Sequence, residues 1–293
     1  MKEKLLSVII TTYERELQIL DRAVFSVKNQ TYPYIEIIII DDNLNDSALS
    51  NKIKEYCNEQ EIKYLKQFGN LGACAARNLG VANSNGEYIA FLDDDDEWFP
   101  TKAQEQIDYI SQGYSLVFCK GLLIDTRDSS YKEKLYGNSI DFMSNPIFQD
   151  LLTKNRIGTT SQIMVTRDCF YYVNGFDTRF QARQDYDFCL QISQHFKIYG
   201  IDSILFKHYI HGENQISQNP QKALQGYLLL FKKYKKHYIN NKEAYINICC
   251  KIAKSYRNNK MYLKWFIIFI RTVIVAPSKF KLILEKTTEK KII

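Results

Sequence analysis

The chain has 293 residues, 45% hydrophobic and 25% charged, with only 12 Gly and 5 Pro. It can therefore form one large domain or two modest ones, and collagen-like, disordered and low-complexity classes are excluded; a mean hydropathy of −0.32 also excludes a polytopic membrane protein. The net charge of +6 is uneven: residues 220–293 hold 17 Lys or Arg against Glu243, Glu285 and Glu289, leaving +14 there and −8 in residues 1–219.

In chain order, Leu5–Ile10 reads as a buried strand ending in Thr11-Thr12, and Leu17–Lys28 has helical spacing. Tyr34–Ile40 (YIEIIII) is a β-branched strand running into Asp41-Asp42, followed by a helix over Asp46–Asn58 that Asp46 caps. A short strand at Ile62–Leu65 precedes an Ala-rich helix at Gly72–Asn83. Glu87–Leu92 is a strand running into Asp93-Asp94-Asp95-Asp96, and Pro100 starts a helix to Ile110. Ser115–Lys120 is a strand, residues 121–158 read as loops with a short helix, and Thr159–Thr166 has strand character. A short helix at Arg167–Val173 ends by Gly175. Tyr186–His195 reads as a helix and Lys197–Tyr209 as one or two strands. Helices follow at Ala223–His237, Ala244–Tyr256 and Met261–Val275.

This β-α-β-α-β alternation implies a mostly parallel sheet with helices on both faces. Ligands of such sheets sit beyond the carboxyl ends of the strands, so Thr11-Thr12-Tyr13, Asp41-Asp42 and the four aspartates collect on one rim. The seven cysteines include no CxxC pair, which reads as reduced thiols of a cytoplasmic protein. The opening MKEKLLSVIITTYERE has an apolar run of about five residues, too short for a secretory signal.

Four clusters carry chemistry. In FLDDDDEWFP (91–100), four acids at a buried strand end repel one another, and a divalent cation with oxygen ligands, magnesium or manganese, relieves that repulsion. The alternative is a solvated acidic turn, which the placement between EYIAFL and Trp98-Phe99-Pro100 disfavours. In IIIIDDNLND (37–46), a strand-end acid can accept from a base N–H or a ribose hydroxyl. In NLGACAARNLG (70–80), Gly72 opens a helix whose N-terminus can hold phosphate; alone this is a weak signal. In GFDTRFQARQDYDFCLQI (175–192), Asp185 at a helix start is a candidate general base, or a cap.

Together and in this order, SVIITTYER, IIDDN, NLGACAARNLG, GEYIAFLDDDD and GFD…QDYD resemble the family 2 glycosyltransferases and their GT-A fold, a Rossmann-like, mostly parallel α/β sheet flanked by helices. The resemblance spans about residues 5–217. It implies a GT-A catalytic domain over 1–217 and a basic helical C-terminal region over 218–293. It further implies an inverting transfer from a nucleotide-sugar donor, a UDP-sugar first, to an acceptor hydroxyl in cell-surface polysaccharide or glycolipid synthesis. Thr11 and Tyr13 would line the nucleotide pocket, Asp42 would contact the base, and Arg77 would lie near base and diphosphate. Asp93 and Asp95 would be the outer acids of a D-x-D motif, with Asp95 the main ligand of Mn2+ or Mg2+ and Asp94 contacting ribose or sugar. Asp185 would be the general base, and His211 would approach the diphosphate or metal. Two departures stand out: Gln184 replaces a frequent Glu, so that position is purely polar, and Leu44 replaces a frequent Ser in the nucleotide loop.

Residues 260–276 (KMYLKWFIIFIRTVIVA) are too short an apolar run for a span of about 20 residues. Lys260, Lys264 and Arg271 share one helical edge beside a broad aromatic and aliphatic face. That is the pattern of a helix lying on an anionic membrane surface, or of one packed on the catalytic part with its lysines snorkelling. A membrane partner fits a lipid-linked acceptor at the inner face of the cell membrane. Nucleic acid is excluded as a partner for want of a motif and because the catalytic part is acidic. Two other functions compete: a nucleotide-sugar-binding scaffold without transfer, favoured by Gln184 and Leu44, and a nucleotidyltransferase, disfavoured because TTYERELQ is no Gly-rich basic loop.

Overall fold

The computed structural model describes residues 4–44, 47–126, 132–136, 147–210 and 219–288. In chain order the first half contains β1 (Leu6–Thr12), α1 (Leu17–Lys28), β2 (Ile35–Asp41), α2 (Ala48–Glu59), β3 (Lys63–Lys66), α3 (Ala73–Ala82), β4 (Tyr88–Asp93), β5 (Glu97–Trp98) and α4 (Lys102–Ile110). Then come β6 (Leu116–Asp125), β7 (Lys132–Tyr136), α5 (Ile147–Thr153), a 3-10 turn at Thr160–Gln162, β8 (Met164–Thr166), α6 (Arg167–Tyr172), α7 (Gln184–Ser193) and β9 (Ile198–Ile210). The C-terminal part is helical: α8 (Pro220–Lys233), α9 (Lys235–Asn240), α10 (Lys242–Asn258), α11 (Tyr262–Val275) and α12 (Phe280–Thr288).

The strands form one sheet in the order β3-β2-β1-β4-β8-β6-β9-β5, with β7 also on β6. β1–β4, β6 and β9 run parallel, and β5, β7 and β8 oppose them. Strand residues alternate between the two faces. Ile9, Ile38, Ile40, Ile89 and Phe91 point to one core; Val8, Ile10, Ile39, Ala90 and Leu92 point to the other, where α1 buries Leu20, Ala23, Val24 and Val27 at helical spacing. On the first face α3 sits close to the sheet because Gly80 has no Cβ, which would lie 2.5 Å from Ile9 Cγ2.

The register fixes the rim. Thr11 lies opposite Ile40 on one side and Asp93 on the other, and Thr12 opposite Asp41. The acids of two strand ends and the residues after β1 therefore stand at one level, as the parallel arrangement implied.

Four local expectations change. Asp46 lies outside the described residues, and Ser47 caps α2, its hydroxyl accepting from the Ser50 N–H. Thr159–Thr166 is only half a strand: Thr159 and Gln162 form a capping box that winds Thr160–Gln162 into a 3-10 turn. β6 runs on to Asp125, and β7 arises in a stretch read as loops. A two-residue strand, β5, and the final helix α12 carry too little periodicity to be read from sequence.

The helices after Pro220 continue the first core. Leu230, Tyr234, Tyr238, Ile248 and Ile252 share it with Phe91, Phe176 and Phe188. A satellite cluster of Ile246, Cys250, Phe269, Ala276 and Ile283 joins α10 to α11 and α12. All seven cysteines are free and buried. Among the described residues, no helix is long and apolar enough to cross a membrane.

Candidate active site

Asp41 and Asp42 divide the work at the end of β2. Asp41 is enclosed: its Oδ1 accepts from the Asn43 backbone and side chain, at 2.8 and 2.7 Å. Its Oδ2 accepts from Tyr64 at 2.7 Å and pairs with Lys66 at 3.2 Å. That carboxylate is spent on the loop. Asp42 accepts from the Gln67 amide and, at 3.1 Å, from the N–H of Gly72, which opens α3. Gly72 has φ +86°, a conformation that favours glycine. Burial raises Asp42 above the ordinary carboxylate value despite these donors. Tyr13 is 42% exposed beside this loop, an aromatic face open to a ligand.

The four aspartates have four different environments. Asp93 Oδ1 accepts from Arg77 at 2.6 Å and from Thr160 at 2.9 Å, and its Oδ2 accepts from Thr159 at 2.8 Å. Its own N–H donates to Ser161 at 3.0 Å. Burial alone would raise Asp93, but Arg77 and the two hydroxyls override it and hold the carboxyl below its ordinary value. Arg77 is therefore buried against Asp93, with Nη1 lacking a partner among the described residues.

Asp94 and Asp95 are bridged by one guanidinium. Arg15 donates from Nε to Asp94 at 3.0 Å and from Nη2 to Asp95 at 2.8 Å, while Arg22 holds the Asp95 carbonyl at 2.7 Å. Burial, together with Asp96 and Asp94, pushes Asp95 up to about 8 although Arg15 opposes it. Asp96 is fully enclosed; its Oδ1 lies 2.9 Å from His208 Nδ1, and its Oδ2 has no partner among the described residues. Burial disfavours charge on His208, but Asp96 outweighs it and lifts the imidazole to about 9. His211 lies outside the described residues.

Among the described residues there is no group of three or more His, Cys, Asp or Glu arranged to cage a metal. The arrangement suits another kind of site. Mg2+ and similar hard ions commonly take one or two carboxylates and complete their shell with water and substrate phosphate. Asp95, crowded by Asp94 and Asp96 and with its carboxylate paired to Arg15, has the excess negative potential that such an ion relieves. The donor set therefore fits a divalent cation shared with a phosphate ligand.

Asp185 is the second residue of α7, after Arg183 in the left-handed region at φ 69°. Burial raises its carboxyl to about 6 against the pull of Arg183, and Arg77 and Asp93 are near enough to act on its charge. Asp187, its near neighbour in sequence, is otherwise engaged. It accepts from Lys233 at 2.8 Å, Tyr234 at 2.9 Å and Gln191 at 2.9 Å. Of these two acids, Asp187 is thus the one held by other side chains among the described residues. Gln184 keeps its Oε1 buried without a partner among the described residues, and Leu44 is exposed.

Sequence reasoning missed Arg15, Thr159, Thr160 and His208. The Thr-Thr-Ser-Gln run was the available signal for two of them: four hydrogen-bonding side chains interrupt an otherwise buried apolar segment. It also missed that Asn78 exchanges hydrogen bonds with the Phe176 backbone at 2.8 and 2.9 Å, tying α3 to the GFD segment.

Comparison with known proteins finds relatives in sequence and in fold. The sequence profile described as "Glycosyl transferase family 2" matches residues 7–174. The putative colanic acid biosynthesis glycosyl transferase WcaA of Escherichia coli K12 is 30% identical over 244 residues, covering 79% of this chain and 81% of that one. The GalNAc(5)-diNAcBac-PP-undecaprenol beta-1,3-glucosyltransferase of Campylobacter jejuni is 30% identical over 148 residues, or 50% of this chain and 47% of that one. Among solved structures, S. aureus TarS 1–349 in complex with UDP-GlcNAc superposes with a TM-score of 0.61 at 14% identity, covering 95% of this chain and 83% of that one. A longer TarS chain, of which half is covered, gives 0.59 at 15% identity. The likeness to TarS is one of fold.

Proposed function

The chain belongs to glycosyl transferase family 2, and on that footing we propose that it is an inverting transferase taking its sugar from a UDP-sugar. The observation that carries this reading is the meeting of the acidic strand ends with Asp185 at one rim of the sheet. Acids that would hold a cation, and through it a diphosphate, stand with a carboxylate raised toward neutrality.

In this reading Asp42 receives the N–H edge of the base, Thr11 and Tyr13 line the nucleotide, and Arg77 sits near base and diphosphate. Asp94 contacts the ribose or sugar. Asp95, together with Asp93 and His211, would hold Mn2+ or Mg2+. When bound, that ion neutralises charge on the leaving diphosphate. Asp185 accepts the proton of the acceptor hydroxyl. The oxygen then attacks the anomeric carbon as the bond from that carbon to the diphosphate breaks, and the configuration inverts. One base suffices, unlike the carboxylate pair of a glycosidase.

The acceptor is a glycan or a lipid-linked saccharide in cell-surface polysaccharide or glycolipid synthesis, which sets the reaction at the inner face of the cell membrane. The named roles of the Escherichia coli and Campylobacter jejuni relatives support this class. The catalytic unit runs through about residue 217, with the basic helices of 218–293 attached. The test is nucleotide release with Mn2+ across UDP-, GDP- and dTDP-sugars, with and without a lipid-linked acceptor. Turnover of a UDP-sugar that chelation abolishes is the expected result. Tight nucleotide binding with no turnover of any donor would instead favour the scaffold reading.

A further inference from the structure

α11 is apolar on two sides, and only one of them is covered. Phe269 and Thr272 are buried toward α10. On the other side Leu263, Phe266, Ile267, Ile270 and Ile274 are all exposed, Leu263 by 74% and Ile274 by 70%. Their spacing of i, i+3, i+4, i+7 and i+11 places them on a stripe about 100° wide. Lys264 and Arg271 are exposed and line one edge of that stripe, within about 20° of each other, whereas Lys260, exposed at φ 60°, precedes the helix and does not share the edge that the sequence pattern gave it. α12, packed beside α11, adds exposed Phe280, Leu282 and Leu284. Between residues 260 and 288 there are six Lys or Arg and one acid, Glu285.

We propose that the exposed face of α11 and α12 is a docking surface for an anionic lipid bilayer, with the helices lying in the interface and not crossing it. α11 has 14 residues, about 21 Å of helix, short of a hydrocarbon core about 30 Å thick. A stripe of large apolar side chains edged by cations is what an interfacial helix presents: the stripe enters the acyl boundary and the basic edge meets the headgroups. Charge chooses between occupants. A second copy seated on this face would bring two cationic rows together, whereas anionic lipid is complementary to both the row and the stripe. The docking needs no transfer chemistry. Its use, bringing the site to a lipid-linked acceptor, rests on the proposed function.

The experiment is co-sedimentation of the full chain with phosphatidylcholine vesicles, with and without phosphatidylglycerol, at low and high salt. Binding to the anionic vesicles, weakened by salt, is expected. Phe266→Asp with Ile270→Asn should reduce it by tenfold or more, and Lys264→Gln with Arg271→Gln should remove its salt dependence. Because all four side chains are exposed, these variants should keep the melting temperature and donor turnover of the parent. Asp185→Asn should dock normally, so loss of transfer and loss of docking are read separately. The proposal is overturned by absence of binding to either vesicle, by binding that the substitutions do not alter, or by a dimer that the same substitutions dissolve.

Discussion

Lys233 of α8 places its ammonium 2.8 Å from the carboxylate of Asp187, two residues along α7 from Asp185. The same ammonium lies 3.1 Å from Asp177, and Tyr234 adds a hydroxyl to Asp187 at 2.9 Å. Burial keeps Asp187 above its ordinary carboxyl value even so. The helix that carries the candidate base is thus fastened from the basic C-terminal part. Lys233→Met would leave Asp187 enclosed without its cation, so a loss of about 2–3 kcal/mol is expected, reduced from the fully buried case because Lys233 is part exposed. Urea denaturation measures it. Asp187→Asn added to Lys233→Met should recover part of the loss, since the uncompensated charge is then gone.

Gly226 makes the second attachment. A Cβ there would stand 2.6 Å from the Ala182 carbonyl oxygen and 3.1 Å from Arg183 Cγ, and the first is backbone that cannot swing aside. Gly226→Val should therefore displace the turn before α7, costing about 1–3 kcal/mol. Turnover should fall more than the affinity for nucleotide, because the base moves while the β1 and β2 ends do not. Calorimetry with UDP and steady-state rates separate the two; equal losses in both would refute a local effect.

Much of the rim was legible because parallel strands put their carboxyl ends at one level, and β1, β2 and β4 each close on an apolar run that stops abruptly at polar residues. Helix α1 was readable to its ends for the same reason, a clean amphipathic period. Asp185 and Asp187 could not be told apart by pattern, since both sit in the first turn of α7. What separates them is α8 arriving from about fifty residues later in the chain. Thr159 and Thr160 were hidden similarly: a β-branched polar pair reads as strand, and only the folded chain shows the capping box that turns it and the Asp93 carboxylate that both hydroxyls reach. The C-terminal charge was visible, but Leu230, Tyr234 and Ile248 enter the core between the lysines, which net charge cannot reveal.

Asp95 should govern the response to divalent cation. Chelating Mn2+ should weaken UDP binding to the parent protein by on the order of tenfold or more. Asp95→Ala should bind UDP at the weakened level whether or not Mn2+ is present, as titration calorimetry would show. In the cation-free protein Arg15 screens Asp94 and Asp95. Arg15→Ala should therefore leave the Mn2+ response intact while lowering the melting temperature measured without metal.

Asp185 predicts opposite effects on rate and stability. With its carboxyl raised to about 6 by burial, a general base is lost as the pH falls through that value. The rate should drop about tenfold per unit below pH 6 and level off above it. Asp185→Asn should lower transfer by about 10²–10⁴-fold, flatten that limb and leave UDP affinity nearly unchanged. The stability sign is the reverse of a paired acid's. A folded pKa above the unfolded one means the native state binds more protons between about 4 and 6, so stability falls across that window as pH rises. Ionised Asp185 is therefore a cost to the fold above pH 6. Full burial would make the cost about 3 kcal/mol, and the partial exposure of Asp185 reduces it to about 1. Asp185→Asn should accordingly unfold at a higher urea concentration than the parent at pH 8 and at nearly the same concentration at pH 4. A variant that loses activity without that pH-dependent gain would show that Asp185 holds the loop together and is not poised as a base.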